Sequence, residues 1–137
     1  MINFQDGIKV IKDCDFKISS STTMAEAKEA FARYILKANN RSVSFMSNVG
    51  LNLEQENLVV VFFSEDGLIN AIDIHPNGET IKDAIERKEE IAAICRGWLS
   101  MNDQSSDYQK YAWGSIQYIE DFDRWYFIGI SIVFNRA

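Results

Sequence analysis

The chain has 137 residues, 47% of them apolar and 25% charged, a composition that excludes a disordered or fibrous chain and leaves little length for a second core. Fourteen Lys and Arg against twenty Asp and Glu give a net charge of −6, which disfavours direct binding to nucleic acid or an anionic membrane and favours a basic partner. No apolar run approaches a membrane span, and residues 1–6 lack the basic and apolar stretches of an export signal, so residues 1–137 read as a single cytoplasmic domain.

The first segment, residues 3–19, fits two readings. Phe4, Ile8 and Ile11 are spaced as a helix face, while Ile8 with Val10 and Phe16 with Ile18 alternate as strands. Thr23-Met24-Ala25-Glu26 then has the Thr-x-x-Glu spacing of a capping box, in which each side chain satisfies an orphan backbone amide. Met24, Ala27, Phe31, Ile35 and Ala38 recur at three- and four-residue intervals, so a helix is expected up to Asn39-Asn40, whose tolerance of left-handed geometry can end it.

From Ser42 the period changes to two. Val43 and Phe45 alternate with polar residues, and Leu58-Val59-Val60-Val61-Phe62-Phe63 is too β-branched and aromatic for a surface helix. Glu65-Asp66-Gly67 supplies an Asp-Gly turn, and Leu68-Ile69-Asn70-Ala71-Ile72-Asp73-Ile74 alternates again, so a central hairpin is expected. His75-Pro76-Asn77-Gly78 breaks the sheet. A second helix is expected from Thr80, with Ile81, Ala84, Ile85, Ile91, Ile94, Cys95, Trp98 and Leu99 forming its apolar stripe and Glu86, Arg87, Glu89 and Glu90 off it. Residues 102–107 read as a loop, and residues 113–119 and 125–134 as two strands joined through Glu120-Asp121-Phe122-Asp123. With no internal repeat, the expectation is one α+β domain: an antiparallel sheet built from hairpins and packed by two main helices.

Motifs that carry chemistry are missing. Cys14 and Cys95 stand 81 positions apart, so they make neither a Cys-x-x-Cys pair nor half a zinc site, and they read as reduced, buried thiols. His75 is the only histidine, and no Gly-x-Ser-x-Gly elbow accompanies it. Asp121 and Asp123 lack the remaining oxygen ligands and the glycine of a calcium loop. There is no Gly-x-x-x-x-Gly-Lys, Gly-x-Gly-x-x-Gly or His-Glu-x-x-His, so no catalytic residue, metal or cofactor is expected and the chain does not read as an enzyme.

Charge is unevenly placed. Residues 1–41 sum to +2 and residues 42–137 to −8, and between Arg41 and Lys82 there is no Lys or Arg at all, while Glu54, Glu56, Glu65, Asp66, Asp73 and Glu79 fall there. These acids are either a face for a basic protein surface or the wet side of a sheet. In Trp125-Tyr126-Phe127, Tyr126 takes the face opposite to its neighbours, so this strand exposes aromatic surface unless both its sides are covered.

From Leu58 to Asn135 the hairpin around Glu65-Asp66-Gly67, the helix ending Gly97-Trp98-Leu99 and the stretch Tyr111-Ala112-Trp113-Gly114-Ser115-Ile116-Gln117-Tyr118 resemble bacterial toxin-immunity proteins of the bacteriocin and contact-dependent growth inhibition types. That resemblance implies a cytoplasmic inhibitor that binds one cognate toxin domain, often a nuclease, and neutralises it. A nuclease presents a basic cleft, so the expected contact residues are Glu54, Glu56, Glu65, Asp66, Glu120, Asp121, Asp123 and Tyr126. The alternative is a small hydrolase or ligand-binding domain with a cleft between helix and sheet, using a carboxylate or His75.

Overall fold

The computed structural model of the chain describes residues 8–9, 14–47, 57–76, 86, 89–90, 93, 108–121 and 127–135. Its centre is a seven-stranded sheet made from β3 (Ile35–Ala38), β4 (Ser42–Ser47), β5 (Asn57–Phe63), β6 (Ile69–Pro76), β7 (Tyr108–Tyr111), β8 (Gly114–Asp121) and β9 (Phe127–Phe134). The strands lie in the order β3-β4-β5-β6-β9-β8-β7, and every neighbouring pair is antiparallel. Two meanders, β3 to β6 and β7 to β9, are therefore joined along one seam between β6 and β9. Ahead of them, β1 (Ile8–Lys9) pairs with β2 (Lys17–Ile18), so the strand reading holds for these residues of the first segment, while Phe4, Val10 and Ile11 lie outside the described residues.

Alternation places the core on one side of the large sheet. Two rows cross the strands in register: Val43, Val61, Ile72, Ile132 and Ile116, then Phe45, Val59, Ile74, Ile130 and Tyr118. All ten side chains are buried. Burying a large aliphatic side chain contributes about 1.5–3 kcal/mol against about 0.5–1.5 kcal/mol net for one hydrogen bond, so each residue of these rows weighs more than a single ladder bond. Over the β4 end of this face lies α1 (Met24–Ala30), with Ala27 and Phe31 fully buried. Its N-terminus is the capping box that the sequence spells: Glu26 N–H donates to Thr23 Oγ1 at 3.2 Å, and Thr23 N–H to Glu26 Oε1 at 3.0 Å.

The expected α+β domain, with its sheet packed by two main helices, is corrected by this architecture. The chain is mainly β, and the described residues hold one helix of defined extent, seven residues long. The first expected helix stops short because Phe31 closes it on Ala27 O, after which Ile35–Ala38 pairs with β4 as a strand. Asn39-Asn40 is a hairpin turn and not a helix stop: Asn39 Oδ1 accepts from Arg41 N–H and Ser42 N–H, both at 2.8 Å. That turn gives β-branched Ile35 and its neighbours strand partners, which outweighs a four-residue apolar spacing equally readable as helix. Of the second expected helix, only Glu86, Glu89, Glu90 and Ala93 are described; these four are helical and exposed, and the rest lies outside the described residues. Among the described residues no helix is long and apolar enough to cross a membrane.

The central hairpin forms where Asp66-Gly67 indicates. Gly67 sits at φ 82°, Asp66 Oδ1 accepts from Leu68 N–H at 3.1 Å and from Ser64 Oγ at 2.8 Å, and Ser64 N–H donates to Leu68 O at 3.0 Å. The tip is tied to α1 as well, since Met24 N–H donates to Gly67 O at 2.8 Å. The terminal hairpin is also present, but Tyr108–Tyr111 adds an edge strand where no strand is expected from sequence.

Candidate functional site

The second side of the sheet changes character along its strands. Nearest the Asp66-Gly67 turn, one row reads Ser42, Phe62, Ala71, Val133, Ser115 and Lys110 across six strands. Phe62 and Val133 are 36% and 41% exposed, and they flank Ala71, so apolar surface is presented to solvent over three adjacent strands. Leu68 in the turn is also exposed. The next row reads Ser44, Val60, Asp73, Ser131 and Gln117, and beyond it Met46, Leu58 and His75 follow. Burial deepens in this direction: Asp73 is half-buried, while Ser131 and His75 are buried.

Asp73 and Ser131 face one another across the seam, and Ser131 Oγ donates to Asp73 Oδ1 at 2.7 Å. Burial raises the Asp73 carboxyl above its ordinary value of 3.8, and the bond from Ser131 draws it partly back. A carboxyl whose pKa is raised by folding holds its proton more tightly in the native state, so native stability falls as pH climbs from the ordinary carboxylate value through the raised one. Asp73→Asn removes this charge and keeps an acceptor for Ser131. The variant is expected to melt at a higher temperature than the parent at neutral pH, with the advantage gone below the ordinary carboxylate value. Equal melting temperatures at neutral pH would show that the Asp73 charge costs nothing.

Two described residues bear on the hydrolytic alternative, Ser131 and His75. Ser131 is 7% exposed, and its hydroxyl is committed to Asp73. His75 lies within β6, opposite Leu58, and is 8% exposed. Among the described residues no group of three or more His, Cys, Asp or Glu could hold a metal ion. Cys14 is free and half-buried, with its Sγ donating to Ala30 O at 3.6 Å.

Four of the expected contact residues are described, and they divide between the two ends of the sheet. Glu65 and Asp66 occupy the β5–β6 turn and are exposed. Glu65 Oε1 pairs with Arg41 Nη2 at 2.9 Å, a solvated pair whose net worth is about 0–1 kcal/mol, and Asp66 holds the turn together. Glu120 is exposed and accepts from the Tyr118 hydroxyl at 3.1 Å; Asp121 ends β8, opposite Phe127. Glu54, Glu56, Asp123 and Tyr126 lie outside the described residues. Since Ser115 is level with Val133 and Ala71, five further residues carry β8 about 17 Å away from the turn end before Glu120 is reached. A partner touching both acidic pairs must span that length. Sequence reasoning missed Phe62 and Val133 as exposed apolar residues, although the burial of Val59, Val61 and Phe63 on one face forces Phe62 onto the other.

No protein-family model, curated protein or solved structure matches this chain.

Proposed function

We propose that this protein is an inhibitor of the toxin-immunity type, binding and neutralising a cognate bacterial toxin domain through the second side of its sheet. The observation that carries the reading is the exposed Phe62–Ala71–Val133 row, in register across three strands and next to the acidic Glu65-Asp66 turn at the same end. Solvent-exposed apolar side chains with acids at their border suit a desolvated anchor with a charged rim. The net charge of −6 suits a basic partner such as a nuclease, because carboxylates can stand where substrate phosphates would lie. Affinity then comes from the apolar row and association rate from the acids.

Calorimetric titration with the C-terminal domain encoded by the gene immediately upstream tests this at low and physiological salt. Nanomolar binding weakened by salt is expected, with Phe62→Asp lowering affinity at least tenfold and leaving the melting temperature within a few degrees of the parent. Glu65→Lys should slow association and flatten its salt dependence, without the damage to the turn that a change at Asp66 would bring. No heat at either salt from two folded proteins sinks the inhibitor reading. Binding that ignores Phe62→Asp moves the interface off this face.

A further inference from the structure

The opposite polarity is found at one edge of the sheet. β3 is its first strand: it pairs with β4 on one side only, and Leu36, Lys37 and Ala38 are all exposed, Leu36 to 65%. The backbone N–H and C=O groups on its outer side have no strand partner among the described residues. In a chain of net charge −6, this is also where cations gather, since residues 27–41 hold Lys28, Arg33, Lys37 and Arg41 against the single acid Glu29. The fold distributes them along the edge. Arg33 stands just before β3, its guanidinium 5.8 Å from the Tyr34 ring centroid, and Lys37 is on the strand. Lys28 reaches the far end, donating from Nζ to Asn39 O at 2.9 Å. Arg41 is taken by Glu65, whereas Arg33 and Lys37 have no ion-pair partner among the described residues.

From this placement we infer that β3 is a docking edge for an extended, acidic segment of a partner protein, which adds as an eighth strand about 4.8 Å outside it. Main-chain hydrogen bonds to β3 would hold the segment, an apolar side chain would cover Leu36, and carboxylates would meet Lys37 and Arg33. The same cations argue against a second copy of this chain as occupant. Antiparallel self-pairing of a four-residue strand brings the two Lys37 ammonium groups within a residue or two of each other, a like-charge contact across strands. This edge uses other strands and the opposite sign of charge from the Phe62 face, so it stands whether or not the inhibitor reading does.

The test is hydrogen exchange of the full chain, alone and with millimolar amounts of a short blocked peptide alternating valine and glutamate, or of its valine–lysine counterpart. Exchange of the β3 amides should slow several-fold with the glutamate peptide and not with the lysine peptide, and Lys37→Glu, a change at an exposed position, should reverse the preference. Unchanged β3 exchange with the glutamate peptide overturns the inference, as does equal slowing by both peptides. So does a dimer in sedimentation whose β3 amides are already protected without peptide, since the occupant is then a second copy.

Discussion

Phe31→Ala is expected to destabilise the protein by about 3–5 kcal/mol, the range for removing a fully buried aromatic ring. Phe31 is 0% exposed and joins three parts of the chain. Its ring meets Phe16 edge-on, with centroids 5.4 Å apart, and lies against Phe45 of β4 at 4.7 Å and 29°. Its backbone N–H closes α1 on Ala27 O at 2.9 Å. Truncation leaves a cavity where the helix end, the segment leading into β2 and the sheet converge, and none of the three can collapse into it without releasing another. Urea unfolding should show a lower midpoint with an unchanged slope, and Phe31→Leu should recover part of the loss. A cost below 1 kcal/mol would mean that α1 is not seated on Phe45.

Gly114→Ala should be nearly as damaging, on the order of 3 kcal/mol, for a different reason. Gly114 opens β8 opposite Phe134, and a Cβ there would collide with the Val133 carbonyl oxygen while sitting 3.0 Å from the Val133 carbonyl carbon and 3.1 Å from Phe134 Cα. These are backbone atoms of the interior strand β9, so β8 must move away to make room. The Tyr111–Trp113 stack, at 5.1 Å, and the Trp113–Phe134 contact, at 5.7 Å, lie beside this point. A shift in tryptophan emission should therefore accompany the loss of thermal stability. Gly67→Ala makes the contrast, because nothing lies within 4 Å of its would-be Cβ and only its φ of 82° resists the change. Its expected cost is about 1 kcal/mol. Equal stability losses at the two glycines would show that the β8–β9 approach is not as close as described.

The signals legible in the sequence were short-range ones with a specific chemistry. Thr23 and Glu26 are three residues apart and satisfy each other's backbone, and Asp66-Gly67 makes its turn from its own side chain and its own φ, so neither depends on distant parts of the chain. The helix read through Ile35 and Ala38 failed because its apolar spacing is ambiguous and because the competing partner, β4, lies beyond the Asn39 turn. The antiparallel pairing of Tyr108–Tyr111 with β8 is equally invisible to a local pattern, its four residues being too few to establish a period. The site suffered from the same limitation. Acids grouped by sequence neighbourhood fall at opposite ends once strand directions are fixed, and Asp73 becomes half-buried only because β9 returns beside β6. The basic edge was visible as a charge imbalance over residues 1–41, but only the position of β3 in the sheet makes it an edge.

The seam between the two meanders also orders the folding of the chain. Within each meander a strand pairs with its immediate successor, so each can zip from its own turns with little loss of chain entropy. Joining them is another matter: the hydrogen bond from Ser131 to Asp73 closes a loop of 58 residues, and no pairing along the seam forms until that search succeeds. The slow encounter is therefore expected between two partly formed sheets, and a nick anywhere between Pro76 and Tyr108, which would leave every described strand pair of the large sheet intact, should turn that encounter into a concentration-dependent, bimolecular one.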